Sequence, residues 1–123
     1  MPDTNTPNQN DSILLSIKTA LGPSGSYDIF DPTITMFVNG LLNNLNQLGV
    51  GVRGFYITGE SETWADFIPE DTDVFRQAFL YLYTKTRLYF DPPQNSFHVS
   101  NLEKLAQEAE WRLNVQADPG EMP

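Results

Sequence analysis

The sequence predicts a mainly α protein, a small bundle of about four helices with a short extended segment between the second and third. Three observations carry that reading. Two segments before residue 50 place apolar residues at helical spacing. An aromatic-rich segment over residues 72–90 has acids at its start and bases near its end. Tyr89-Phe90-Asp91-Pro92-Pro93 then forces a turn before a further amphipathic run. Proline lacks the amide a helix needs and drives the preceding residue out of the helical region.

Taken in order, residues 1–10 are small, polar or proline and are expected to be a disordered tail. The first helix starts from a cap at Asp11 or Ser12 and runs to about Leu21, with Ile13, Leu14, Ile17 and Leu21 on one face. Gly22-Pro23-Ser24-Gly25-Ser26 breaks it. Asp31-Pro32 opens the second helix as N-cap and first-turn proline. Its stripe is Ile34, Val38, Leu41, Leu45 and Leu48, and Gly49 closes it.

Phe55-Tyr56-Ile57-Thr58, bounded by glycines, reads as a short strand or an extended loop. Thr63-Trp64-Ala65-Asp66-Phe67-Ile68 reads as one helical turn stopped by Pro69. The third helix is ambiguous by periodicity alone, because residues 79–90 also alternate like a strand. Asp71 and Asp73 at its start and Lys85 and Arg87 near its end suit the helix macrodipole. Its length of about 28 Å also exceeds most strands. The last helix has two candidate starts, Ser96 and Ser100, the second a capping box with Glu103. The domain plan is therefore a tail over 1–10, a helical domain over 11–115 and a flexible C-terminal arm over 116–123.

The chain has 123 residues, enough for one domain with a substantial core. It has no cysteine, which excludes disulfides and thiolate metal sites and suits a reducing compartment. The first fifteen residues contain no base and no long apolar run, unlike a signal peptide. No stretch reaches the roughly eighteen apolar residues of a membrane span.

The net charge is −9, and Glu60, Glu62, Asp66, Glu70, Asp71 and Asp73 lie between Gly54 and Phe75 with no base among them. Tight nucleic-acid binding draws on Lys and Arg releasing counterions, so this chain is not expected to grip DNA. The acidic segment is either a solvated, solubilising loop or a surface facing a partner or a channel.

Gly49-Val50-Gly51-Val52-Arg53-Gly54 matches a dinucleotide fingerprint in letters only. That chemistry needs a strand before the glycines and a helix after, whereas here a helix precedes and an extended run follows. A tight turn is the better reading. His98 is the only histidine, so a catalytic triad or a transition-metal cluster lacks its residues. It reads as a surface or cap-adjacent histidine. The acids lack Ca²⁺-loop spacing, and nothing singles out a carboxylate pair for glycoside hydrolysis. The expectation is a protein that is not an enzyme and needs no cofactor and no metal.

Fifteen aromatic residues are a large apolar area for this length. Phe75, Phe79, Tyr81, Tyr83, Tyr89 and Phe90 point around more than half of the third helix. These rings, with Trp64 and Trp111, are either core or surface buried against another subunit. The candidate subunit interface is Phe75, Phe79, Tyr83, Tyr89, Phe90 and Trp111, with Asp91, Pro92 and Pro93 as the structural corner.

One ordered series resembles a known family: a short first helix, Asn46-Gln47-Leu48-Gly49-Val50, Thr63-Trp64-Ala65-Asp66-Phe67-Ile68, Phe90-Asp91-Pro92-Pro93 and Glu110-Trp111-Arg112-Leu113. Together, over about residues 12–115, these look like the head–tail connector (adaptor, or head-completion) proteins of tailed bacteriophages. The resemblance implies a small α-helical bundle whose copies form a ring, typically dodecameric, beneath the portal vertex and around the DNA channel. Its implied partners are further copies of itself, the portal protein and a head-closure or tail protein. Double-stranded DNA would be only passing cargo, and no membrane is involved. Its implied location is the virion neck, after assembly in the host bacterial cytoplasm. Family adaptors tend to dock on the portal through a C-terminal arm, which here means Val115, Gln116, Ala117, Asp118 and the residues after them. The acidic segment would face the channel or the closure protein. The competing reading is a monomeric acidic protein-binding module, a DNA mimic or inhibitor; a small hydrolase is a third.

Overall fold

The computed structural model describes residues 7–70 and 72–116, with the side chains of Thr72 and Gln116 left aside. Five α-helices follow one another: α1 (Ile13–Leu21), α2 (Asp31–Gln47), the single turn α3 (Trp64–Phe67), α4 (Thr72–Phe90) and α5 (Ser96–Gln116). Two 3-10 turns, Gly22–Ser26 and Asp28–Phe30, join α1 to α2. Among the described residues there is no strand, only an isolated antiparallel bridge between Ser12 and Thr63.

α1 begins as its sequence dictates. Ser12 Oγ accepts the Leu15 amide, and Ile13, Leu14, Ile17 and Leu21 are buried. The second helix departs from expectation at its start. Asp31 does not cap it; Asp31 is already helical, and no side chain caps that end. Its carboxylate turns to Lys18 Nζ at 2.8 Å, and Asp28 meets the same ammonium at 3.0 Å. An ion pair with a nearly buried lysine outcompetes a backbone cap here.

The other end of α2 closes in a Schellman motif. Gly49 N–H donates to Asn46 O at 3.0 Å, Val50 N–H donates to Leu45 O at 2.9 Å, and Gly49 has φ +90. The glycine-rich run after it is a turn wrapped around α2's own side chain. Asn46 Nδ2 donates to Val50 O and Val52 O, and its Oδ1 accepts the Gly54 amide at 2.9 Å. Farther on, Ile57 is buried outside any helix or strand. The Asn39 carboxamide stands in for a strand partner, donating to Ile57 O at 2.9 Å and accepting Ile57 N–H at 2.7 Å.

α4 is the middle of the molecule, packed by α1, α2 and α5. Phe75, Ala78, Tyr81, Leu82, Thr84 and Thr86 are all buried, so burial runs around most of its circumference. A helix covered on several sides shows no narrow stripe, which explains its ambiguous periodicity. α4 stops at Phe90, and Asn95 Oδ1 accepts the Phe97 amide at 2.7 Å to start α5. Ser100 therefore lies inside α5. Because the connection is five residues long, α5 returns antiparallel along α4. Its inner face includes Ala106, Ala109 and Leu113, two of them small enough to let the helices approach.

Within the expected tail over residues 1–10, Gln9 is held by hydrogen bonds. Gln9 O accepts the Ala65 amide at 2.7 Å, Gln9 Nε2 donates to Ile68 O at 2.7 Å, and Asp11 O accepts the Trp64 amide. The Gln9 and Asp11 carbonyls and the Gln9 carboxamide satisfy backbone groups around the α3 turn, and this pins residues that composition alone leaves free. Residues 1–6 and 117–123 lie outside the described residues.

Candidate assembly interface

Three groups of aromatic residues bear on the expected interface. Trp64, fully buried at 0% exposure, donates its indole N–H to Ser16 Oγ at 3.0 Å. Phe75 and Phe79 meet its ring at centroid distances of 5.5 and 5.8 Å, and Tyr83 stacks on Phe79. A second cluster lies at the other end of α4, where Phe30 meets Phe90 at 5.3 Å and Phe37 meets Tyr89 at 5.7 Å. Trp111 stands apart on the outer side of α5, 63% exposed.

The subunit's own packing takes up several of the rings of the sequence-based interface. Phe75 is part of the subunit's own core, and Phe79, Tyr83 and Phe90 pack against that core. Because α1, α2 and α5 surround α4, Tyr89 is its one exposed ring among the described residues, at 54%. Tyr89 and Trp111 remain as outward rings.

Sequence reasoning missed the outward residues of the 27–30 segment. Tyr27, Ile29 and Phe30 are exposed, and Ile29 reaches 80%. Their only signal is composition: three large apolar residues in a segment that is neither helix stripe nor strand. α5 was also read as apolar on one side only. Phe97, Leu105, Trp111 and Val115 are all exposed, while Ala106, Ala109 and Leu113 are buried, so the helix carries apolar residues on two faces. Beside Trp111 an open groove runs between the start of α4 and the end of α5, lined by Asp73, Arg76, Gln77, Trp111, Arg112 and Val115.

Asp91 N–H donates to Arg87 O at 3.0 Å, Arg87 Nε donates to Asp91 O at 2.7 Å, and Ser24 Oγ donates to Asp91 Oδ2 at 2.7 Å. The corner is thus tied to the turn after α1. Pro92 is exposed and Pro93 half-buried.

The acidic segment divides by role. Glu62 accepts the Thr58 hydroxyl at 2.7 Å and the Thr58 and Gly59 amides. Burial pushes its carboxyl pKa up, but these hydrogen bonds prevail and hold it below its ordinary value. Asp66 accepts the Thr63 amide and closes the α3 capping box. Glu60, Glu70 and Asp73 are exposed, and Asp71 lies outside the described residues. In the C-terminal arm, Val115 is exposed on the last turn of α5 and Gln116 ends that helix, while Ala117 and Asp118 lie outside the described residues. His98 is exposed next to the Asn95 cap. Among the described residues no three acid or histidine side chains converge on a metal-sized point, and no helix is long and apolar enough to cross a membrane.

A family model described as phage connector protein matches residues 13–120. No curated protein and no solved structure matches the chain.

Proposed function

The chain belongs to the phage connector protein family, and from that premise we propose that it is a head–tail adaptor whose copies close into a ring beneath the portal. The ring joins capsid to tail in the virion neck and surrounds the DNA channel. The work is assembly, with no bond made or broken. The observation that carries the reading is the placement of large apolar side chains on the outside of a well-filled bundle. Ile29 and Tyr27 project from one end of α4 and Trp111 from beside the other. A subunit with two separate outward apolar patches can bond to two neighbours, and such contacts close into a ring when the rotation allows.

The charge supports the same reading. A net charge of −9 repels the phosphate backbone, so DNA passes the ring without being held. The exposed Glu60 and Glu70 face the channel or the closure protein, and the segment after Val115 reaches the portal.

Mixing the purified chain with the portal protein of the same virus tests this. Electron microscopy and light scattering are expected to show closed rings seated on the portal. A chain that stays monomeric beside an intact portal would contradict the proposal and favour the acidic mimic.

A further inference from the structure

We propose that residues 27–30 of one copy seat in the groove between the start of α4 and the end of α5 on the next copy. Ile29 then lies against Trp111 and Val115, and Asp28 faces Arg76 and Arg112. The inference rests on the ring reading and specifies its subunit contact.

The projecting turn is rigid and prepared for contact. Lys18 holds it through Asp28 and Asp31, Phe30 N–H donates to Tyr27 O at 3.1 Å, and Phe30 packs on Phe90. Little ordering entropy is lost when so fixed a turn is buried. Ile29 is the most exposed large apolar residue among those described, and the Asp28 side chain is 89% exposed while holding Lys18 through one oxygen.

The groove has the complementary chemistry. Trp111 and Val115 stand one turn apart on α5 and are the apolar part of its lining. Arg76 and Arg112 are two of only seven bases in a strongly acidic chain, and both line it. Arg112 meets Glu108 at 3.9 Å between two exposed side chains, a contact that is easily exchanged. Asp73 also lines the groove, at its α4 wall. An apolar residue next to a carboxylate fits a lining that combines these apolar side chains with two guanidinium groups.

Position determines the mode. The turn packs on Phe90 and the groove contains Arg76, so α4 separates them by roughly 20 Å at about 1.5 Å per residue. No subunit closes its own turn on its own groove, yet both sites are available at once. Each copy then offers one turn and one groove, which is head-to-tail association.

The absence of cysteine makes this testable by cross-linking. Ile29→Cys and Val115→Cys copies, mixed with a short bismaleimide, are expected to give linked pairs and nothing larger. One chain carrying both substitutions is expected to give a ladder ending at the closed ring. Val52→Cys, exposed elsewhere, sets the level of random collision. Ile29→Arg, which alters only an exposed side chain, is expected to raise the concentration for half-assembly about tenfold. A 29–115 yield no better than 52–115 overturns the pairing. So does a link from position 115 to Gly120→Cys in place of position 29, which assigns the groove to the chain's own C-terminal segment. If unmodified protein still forms rings on the portal in either case, only this contact is lost. Failure of unmodified protein to assemble defeats the ring reading itself.

Discussion

Trp64 and Trp111 are the chain's two tryptophans, and the fold treats them oppositely. Trp64 is surrounded by Ser16, Phe75 and Phe79 and is closed to water. Trp111 lies on the outer face of α5 with most of its ring in solvent. The same side chain supplies folding free energy in one place and unused apolar surface in the other. The difference teaches that the aromatic surplus of this chain is not all core. On the ring reading proposed above, part of it is surface for another protein.

Substitutions sharpen that contrast. Trp64→Ala removes a filled site beneath α4 and should lower unfolding free energy by about 3–5 kcal/mol, read from urea melts. A loss below about 1 kcal/mol would mean the Trp64 region is not the centre of the core. Gly51→Ala is next. Gly51 has φ +79, and a β-carbon there would collide with the Phe67 ring, so strain and overpacking should cost about 2–3 kcal/mol.

Glu62 tests the loop that packs beside this core. Its folded pKa lies below the ordinary 4.5, so its contribution is present above about pH 4.5 and is lost as pH falls through the lower folded value. Glu62→Gln should flatten the acid limb of the stability profile, and an unchanged profile would remove the Thr58 contacts from the account. Pro92→Ala should shift stability by about 0.5 kcal/mol or less, yet weaken ring formation by loosening the corner. Trp111→Ala should have the smallest effect on the isolated subunit, within about 0.5 kcal/mol. Its effect should appear in assembly alone.

The local features of this contrast were readable in sequence. The α1 and α2 stripes, the Gly49 closure, the single turn at Trp64 and the stop at Pro92 all follow from neighbouring residues. What was hidden depends on residues distant in sequence. Asp31 looks like a cap until Lys18 takes its carboxylate from thirteen residues away. Residues 55–58 look like half of a strand pair until Asn39 supplies the pairing. The rings of α4 look excessive for a surface helix because nothing local marks it as central. Trp111 lies between Glu110 and Arg112 and Trp64 between Thr63 and Ala65, so charged neighbours already mark the outward ring. The direction of α5 decides where that ring points.

The central claim is that this outward surface exists to be covered by protein. Acrylamide quenching of tryptophan fluorescence tests it most directly, because one indole is shielded and the other open. The free chain should show one quenchable and one protected tryptophan, and the ring seated on its portal should show two protected ones. A Trp111 that stays as quenchable in the assembled neck as in solution would contradict the account.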